Sequence, residues 1–341
     1  MNRVAALHEF RNCIRRVLDP LVAESARCAL VGFPHHDNVG DSLIWLGELS
    51  YLSEASVEIG YMCDRHTYSA RALKNCLGTD GLILIHGGGN FGDLWPPEQE
   101  LRERVITDFP SSPIVQLPQS IHFEEERNLQ RVRRILDSHP SFTLLVRERQ
   151  SQQMGSDELG VEAHMCPDMA LMMPALTRHG TPDFDVVWLS RTDREARGEI
   201  GRPDSNLTVN KCDWVGGAKP PQGYTSLSRR ALGAAKRRLV SIPAISRRLD
   251  RPQPVGYLDY AERQLARGSA LLARSRLVIT DRLHGHILSL LLGIPHILLD
   301  NSYGKLSRFY ESWSTEIDGV WWADSASDAL RLADTLLSRR E

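Results

Sequence analysis

Residues 279–307 read ITDRLHGHILSLLLGIPHILLDNSYGKLS, and the predicted fold depends on this stretch. The apolar residues 277–279 predict a short buried strand, and the polar cluster 280–286 separates it from the strongly apolar segment 287–292. Together they predict a strand, a polar turn and a buried helix. In a parallel sheet such a turn lies at the carboxyl edge of the strands, where ligands bind.

A second polar loop follows on the same edge. Gly293 and Pro295 mark the end of the predicted helix. Residues 296–300 predict the next buried strand, and a polar loop over 300–305 follows it. The two loops supply one set of polar side chains, namely Asp281, Arg282, His284, His286, Asp300, Asn301, Tyr303 and Lys305. We therefore expect a functional crevice at this edge.

The same alternation runs through the whole chain. Buried strands are predicted at 28–33, 57–63, 82–86, 114–117, 142–146 and 186–189, with helical patterns and polar loops between them. A chain of 341 residues is also too long for one typical core. We predict an α/β protein with an N-terminal Rossmann-like domain over 1–175 and a C-terminal one over 184–324. The terminal helix within 325–341 is expected to pack back on the first domain.

Composition excludes several classes of function. Charged residues make up 25% and apolar residues 42%, and the formal net charge is −2, so no basic field indicates nucleic-acid binding. Six scattered cysteines without close pairs argue against a disulfide framework or a zinc site. The N-terminus is too charged for a secretory signal, and no apolar segment approaches the ~20 residues of a membrane span. We predict a cytoplasmic protein.

Two glycine-containing loops, DNVGDS at 37–42 and GGGN at 87–90, each follow a predicted strand of the first domain. A tight turn between strand and helix would explain either loop alone as well as ligand binding would. Because both loops are expected at the same edge of the sheet, ligand binding is favoured. Neither matches a dinucleotide fingerprint or a P-loop. We expect a saccharide acceptor to bind here. Its hydroxyls would hydrogen-bond to the side chains of Asn38, Asp41, Asn90 and Asp93, and Gly88 and Gly89 would let the backbone approach it closely.

Three arginines, Arg147, Arg191 and Arg282, each close an apolar strand. A surface salt bridge would explain such an arginine, and so would bidentate binding of a phosphate or carboxylate in the crevice. His284 lies two residues after Arg282 and is a candidate general acid or base, with capping or core packing as the simpler interpretation. No set of His, Asp and Glu has metal-ligand spacing, so no metal is predicted.

Residues 229–251 form a basic patch, which contains eight Lys or Arg residues and one acidic residue. A solvated face is the ordinary explanation of such a patch. The interleaved apolar residues also allow an interfacial segment attracted to anionic lipid. Peripheral contact with the inner face of the cytoplasmic membrane is the second hypothesis.

Six motifs together resemble the polysaccharide pyruvyl transferase family. They are DNVGDSLI (37–44), IHGGGNFGDLW (85–95), LLVRERQS (144–151), CPDMAL (166–171), TDRLHGHILSLLLGIP (280–295) and LDNSYGKLS (299–307). The resemblance spans roughly residues 28–310, and no motif matches within 195–255. It implies two Rossmann-like domains in a glycosyltransferase-B-like arrangement with an interdomain cleft.

The resemblance also implies a reaction. Members of the family move the pyruvyl group of phosphoenolpyruvate, as co-substrate and without a further cofactor, onto two hydroxyls of a sugar as a cyclic ketal. The family's Arg-Leu-His motif falls on Arg282, Leu283 and His284, and its further donor-binding arginine falls on Arg147, with Arg191 as the competitor. Lys305 would add positive charge. The first-domain loops would hold a lipid-linked or nucleotide-linked saccharide, so closure across the cleft is part of the prediction.

Two other functions stay open. A glycosyltransferase that uses a nucleotide sugar would share the two-domain plan, and it would need an acid in the second-domain crevice to hold the ribose. Asp281 and Asp300 are the candidates for that acid. A non-catalytic glycan-assembly protein would keep the scaffold and would tolerate loss of His284 without losing binding.

Overall fold

The computed structural model describes residues 1–23, 25–78, 81–192, 207–215, 254–300 and 304–338. It contains two parallel sheets, one of seven strands and one of five. Continuous apolar runs such as LILI and FTLLV form central strands because helices cover both faces of each sheet. The predicted α/β class with two Rossmann-like domains is confirmed.

The first sheet has the strand order β2-β1-β3-β5-β6-β7, and β4 also pairs with β5. Its strands are β1 (Arg27–Val31), β2 (Glu58–Cys63), β3 (Leu82–Ile85), β4 (Gly88–Gly92), β5 (Ile114–His122), β6 (Phe142–Val146) and β7 (Ala163–Met165). The helices of this part are α1 (Arg3–Val22), α2 (Val39–Glu54), α3 (Ala70–Leu77), α4 (Pro96–Asp108), α5 (Glu126–Asp137) and α6 (Arg149–Gln153). A π-helical turn (Met154–Glu158) and a 3-10 helix (Met169–Met172) follow α6.

The second sheet has the order β12-β11-β10-β8-β9. Its strands are β8 (Phe184–Leu189), β9 (Val209–Cys212), β10 (Ser275–Thr280), β11 (His296–Leu298) and β12 (Val320–Trp322). The helices described here are α7 (Pro254–Ala273), α8 (Leu283–Leu292), α9 (Lys305–Trp313) and α10 (Ala326–Ser338). In both sheets the strand order reverses after the first strand, between β1 and β3 and between β8 and β10. Ligands bind at such switch points in doubly wound sheets.

One of the buried apolar clusters spans both sheets. Val39 and Leu43 of α2 belong to the same buried cluster as Ile287 and Leu288 of α8. α2 also packs on α7 and on the 3-10 helix. The close fit depends on Gly47, since a Cβ there would meet the main chain of Met169. α2 therefore lies between the domains and carries its N-terminal loop to their junction.

The terminal helix does not follow the prediction. Ala329, Leu330, Ala333 and Leu337 of α10 are buried against the second sheet, together with residues of β8, β10 and β11. The expected packing of 325–341 on the first domain is therefore wrong for residues 326–338. The N-terminal helix α1 joins the halves instead, because Arg3 donates to the carbonyls of Leu290 and Leu291 at 3.2 and 3.3 Å.

Two sequence predictions fall outside the described residues, those on Asn301 and Tyr303 and that on the basic patch at 229–251. Across the described ranges, no helix combines the length and apolar character that crossing a bilayer requires.

Candidate active site

A buried carboxylate joins the two domains. Asp168 Oδ2 accepts a hydrogen bond from Arg147 Nη1 at 2.5 Å and lies 3.3 Å from His284 Nε2. Asp168 and Arg147 are 1% and 3% exposed, and His284 is 8% exposed. Arg147 and Asp168 belong to the first domain and His284 to the second, so the cleft expected between the domains is bridged at this point.

Neighbouring elements fix each of the three side chains. Arg147 directly follows β6, and its Nε donates to Ser120 Oγ at 2.8 Å, while its carbonyl accepts the indole N–H of Trp313 at 2.8 Å. Asp168 caps the 3-10 helix by accepting Ala170 N at 2.9 Å. His284 lies in the first turn of α8. The guanidinium and the imidazole thus meet at the same carboxylate oxygen, Asp168 Oδ2.

The charges around Asp168 keep it ionised. Burial alone would raise the pKa of its carboxyl, but the nearby His284 and Arg147 and the Ala170 amide outweigh burial and hold that pKa well below its usual range. An ionised carboxylate beside an imidazole orients the ring for proton transfer, as in other acid–base sites. The sequence reasoning did not assign Asp168 to the site.

The first glycine-containing loop packs directly on the histidine. Gly40 lies against the imidazole of His284, and a Cβ at residue 40 would come within 2.6 Å of its Cγ. Asn38 caps α2 by accepting Gly40 N at 3.1 Å, and its amide donates to Asp41 Oδ2 at 2.8 Å. Burial raises the pKa of Asp41, but His36, His284, His86 and Arg147 together lower it. The structure thus brings Asn38 and Asp41 to the site.

The second glycine loop borders the same space. Gly88 has φ +123°, a conformation that favours glycine, and a Cβ there would lie 3.7 Å from Asp41 Oδ1. A Cβ on Gly89 would lie 3.0 Å from Arg147 Nη2 and 3.7 Å from Lys305 Nζ. The missing side chain of Gly89 therefore leaves room beside two cations, one from each domain.

Asn90 and Asp93 have partners within the first domain. The Asn90 Oδ1 atom accepts Arg102 Nη2 at 2.7 Å and Gln119 Nε2 at 3.0 Å. Both carboxylate oxygens of Asp93 accept the amide of Glu124, at 2.9 and 3.1 Å, which caps the start of α5. Those hydrogen bonds lower the pKa of Asp93 against the raising effect of burial. These contacts give Asp93 a structural role in capping α5, and its acceptor-binding role stays a prediction.

The other two arginines lie at the switch point of the second sheet. Arg282 Nη2 donates to Asp213 Oδ2 at 2.6 Å, and that carboxylate also accepts Thr192 Oγ1 at 2.8 Å. Arg191 donates its backbone N–H to Asp281 Oδ1 at 2.9 Å. Burial raises the pKa of Asp281 to about 6. Arg147, rather than Arg191, therefore shares a carboxylate with His284.

His286 is a core residue. Its Nδ1 lies 2.7 Å from His296 Nε2 and its Nε2 lies 2.9 Å from Ser314 Oγ, and the ring is fully buried. Burial lowers the pKa of His286 well below its usual range and that of His296 to about 4. The pair is neutral near pH 7, which corrects the candidate site role of His286.

A further polar cleft opens at the switch point between β1 and β3. It is lined by His35, His36, Asp64, His86, Asn90 and Arg102, among other residues. His36 Nε2 lies 3.4 Å from Asp41 Oδ2, so the cleft adjoins the site just described. Within the described ranges, no cluster of three or more His, Cys, Asp or Glu residues is arranged to hold a metal ion.

Comparison with known proteins gives a consistent result. Residues 38–303 match the sequence profile of the polysaccharide pyruvyl transferase family. Pyruvyl transferase 1 of Schizosaccharomyces pombe is 34% identical over 328 residues, which cover 90% of this chain and 75% of that protein. EpsO of Bacillus subtilis, also named as a pyruvyl transferase, is 27% identical over 300 residues, 86% of this chain and 87% of that one.

A solved structure shares the fold. The crystal structure of a functionally uncharacterised protein from Klebsiella pneumoniae aligns with a TM-score of 0.56 over 93% of this chain and 99% of that chain. The sequences are 15% identical, so the likeness concerns the fold alone.

Proposed function

Because the chain belongs to the polysaccharide pyruvyl transferase family and is a transferase, we propose that its donor is phosphoenolpyruvate. The pyruvyl group moves onto two hydroxyls of a saccharide, which gives a cyclic ketal and free phosphate. The observation that carries the proposal is the cluster of Arg147, Asp168 and His284 across the domain junction. This cluster combines an anion-binding group with an oriented proton carrier.

The donor carries a phosphate and a carboxylate, and it needs cations that match them. Arg147 Nη2 and Lys305 Nζ both border the space above Gly89. A guanidinium binds an oxyanion through two parallel N–H groups, whereas an ammonium acts as a point charge. The N-terminus of α8, where Arg282 is the cap residue, adds a favourable dipole. We assign Arg147, Lys305 and Arg282 to the donor.

His284 acts on the methylene carbon of the donor. The protonated imidazole gives its proton to that carbon while the first sugar hydroxyl attacks the adjacent C2. The C2–O bond then breaks and its electrons leave with phosphate, and the second hydroxyl closes the ketal ring. Of the two hydroxyl protons, one replaces the proton delivered to carbon and the other leaves on phosphate. Asp168 keeps the imidazole in place throughout.

The first domain holds the acceptor. Asp41 lies beside Gly88 of the second glycine loop and accepts the Asn38 amide, and Asn90 lines the adjoining cleft. The acceptor class is a lipid-linked or nucleotide-linked precursor of a surface glycan, and the enzyme works without a further cofactor or metal. The site of action is the cytoplasm, with peripheral contact at the inner face of the membrane.

A glycosyltransferase that uses a nucleotide sugar has less support. Such an enzyme needs an acid in the second-domain crevice for the ribose. The Asp281 carboxylate is 5% exposed, and both of its oxygens accept the amide of Arg191 at 2.9 and 3.2 Å. That acid is therefore occupied in holding two loops together.

Acceptor-dependent release of phosphate from phosphoenolpyruvate tests the proposal. The assay compares wild type, His284→Ala and the control His164→Ala, whose side chain is 46% exposed. We expect release with wild type and the control, loss with His284→Ala, and an acceptor that gains one pyruvyl ketal by mass spectrometry. No release across a panel of glycosides, together with hydrolysis of a nucleotide sugar, would overturn the proposal.

A further inference from the structure

A second pair of histidine and carboxylate lies beside the site. His86 follows β3 directly, and its Nδ1 lies 2.9 and 3.0 Å from the two carboxylate oxygens of Glu48. Glu48 Oε1 also accepts the amide of Gly87 at 2.9 Å. His86 is 3% exposed and Glu48 is fully buried. The imidazole is therefore oriented by a carboxylate, just as His284 is oriented by Asp168.

The other ring nitrogen of His86 is unused. In the described part of the chain, no hydrogen-bond partner reaches His86 Nε2. A buried polar atom without a partner is unfavourable, and a ligand or a water molecule that hydrogen-bonds to it removes that cost. Because Glu48 accepts the Nδ1–H, the neutral ring presents a lone pair at Nε2. Burial lowers the pKa of His86, but Glu48, Asp41 and Asp168 raise it overall, which makes the ring a stronger base.

The glycine loop connects His86 with the reacting groups. The three glycines that follow His86 each lie beside a different polar side chain. Gly87 contacts the Glu48 carboxylate, Gly88 lies near Asp41, and Gly89 lies near Arg147. Gly40, next to Asp41, packs on His284. The two histidine and carboxylate pairs thus flank the Asp41 loop, and His86 also lines the cleft with Asn90 and Arg102. Its position is on the acceptor side.

We propose that His86, oriented by Glu48, is a second proton carrier that takes the proton of the first acceptor hydroxyl. The inference rests on the proposed function, which requires two hydroxyl protons to be removed. In the first step His86 Nε2 takes a proton from the attacking hydroxyl as the O–C2 bond forms, and His284 protonates the methylene carbon. In the second step protonated His86 passes its proton to the departing phosphate as the C2–O bond breaks.

This scheme returns both histidines to their starting states. While phosphate leaves, neutral His284 takes the proton of the second hydroxyl as the second O–C2 bond forms. Two hydroxyl protons are lost, one proton is gained by carbon and one by phosphate, and no redox partner is needed. With His284 alone, no base would take the proton of the attacking hydroxyl while the first O–C2 bond forms, because the imidazole is then delivering its own proton to carbon.

A purely structural pair would also fix the glycine loop, and a matched control separates the two roles. His139 is 6% exposed, with Nε2 2.9 Å from the Phe109 carbonyl and no partner for Nδ1 in the described ranges. His139 lies before the amino end of β6, whereas His86 follows the carboxyl end of β3 in the same sheet. His86→Gln and His139→Gln therefore remove equally buried rings, and only the first removes the proposed base.

The experiment measures kcat, KM for phosphoenolpyruvate and the pH profile. We expect His86→Gln to lower kcat by about 10²–10⁴-fold with little change in KM, and His139→Gln to keep most of kcat. Imidazole added to His86→Ala should restore part of the lost rate. Glu48→Gln should move the acidic limb of the kcat/KM profile to lower pH, because loss of the carboxylate lowers the pKa of His86.

Each contrary outcome is distinct. If wild type is active but His86→Gln matches His139→Gln in kcat, or the Glu48→Gln profile does not move and imidazole has no effect, this inference is overturned alone. If wild type releases no phosphate from phosphoenolpyruvate with any acceptor, both the inference and the proposed function fall.

Discussion

Gly40 leaves the space that the imidazole of His284 occupies. A Cβ on residue 40 would lie 2.6 Å from Cγ and 2.8 Å from Cβ of His284, closer than such atoms approach in proteins. The glycine comes from the N-terminus of α2 and the histidine from that of α8. The position of His284, the proposed proton carrier, therefore depends on a residue of the other domain.

Gly40→Ala should displace the His284 ring from Asp168. A shift of about 1 Å in a reacting group can cost ~10²-fold in rate, so we expect kcat to fall by roughly that factor. Steady-state kinetics of phosphate release would measure it. Gly256→Ala is the control, since a Cβ at this helical position meets no atom of the described residues within 4 Å, and it should leave kcat unchanged. Equal kinetics for the two variants would contradict the packing described.

Much of this site could be predicted from the sequence. Arg147, Asp41 and His284 each lie where an apolar strand gives way to a polar loop, and parallel topology brings such loops to one edge. The continuous apolar runs also predicted that both sheets are parallel and covered by helices on both faces, because strands buried on both faces are continuously apolar.

Other parts of the site could not be found from strand ends. Asp168 and Glu48 lie inside apolar stretches, CPDMALMM and LIWLGELSYL, where the pattern predicts only core. An isolated acidic residue in an apolar segment indicates that a buried polar group pairs with it. The sequence does not show which residue that partner is. Asp213 follows β9, whose VNKC sequence has no apolar alternation. Asp93 caps a helix that begins 33 residues later, at Glu126, which only the fold brings near.

Asp168→Asn tests the shared carboxylate. The change leaves Arg147 buried without its ionic partner and removes the charge that orients His284. We expect a loss of roughly 3–5 kcal/mol in the free energy of unfolding and at least a ~10²-fold lower kcat. Urea unfolding and kinetics would be compared with Asp183→Asn, which removes an exposed ion pair with Arg274 and should cost about 0–1 kcal/mol. Similar costs for the two variants would refute the assigned role.

The identity of the donor arginine can be decided by conservative substitution. Arg147→Lys removes the fork that contacts Ser120 and Asp168, and we expect kcat/KM for phosphoenolpyruvate to fall by roughly 10²–10³-fold. Arg191→Lys keeps the backbone N–H that holds Asp281, so it should lose far less. Kinetics at saturating acceptor would show it. The reverse order of the two losses would transfer the donor role to Arg191.

The buried pair of His286 and His296 makes the fold sensitive to acid. Both pKa values are lower in the folded chain than the ordinary value near 6.5, with that of His296 at about 4. Between the two values the unfolded chain binds more protons than the folded one. The stability present above about pH 6.5 is therefore lost as the pH falls, at roughly 1.4 kcal/mol per pH unit for each histidine.

Replacing one ring tests this directly. His296→Gln keeps a hydrogen-bonding side chain for His286 but removes one titrating group, so the variant should be less stable than wild type at pH 7.5, and the gap should narrow toward pH 5. Urea unfolding at both pH values measures the gap. His164→Gln, at a half-exposed position, is the control and should change the free energy of unfolding little at either pH. A gap for His296→Gln that stays constant from pH 7.5 to 5 would show that His296 does not titrate with unfolding, because only a group whose proton affinity changes can make the difference depend on pH.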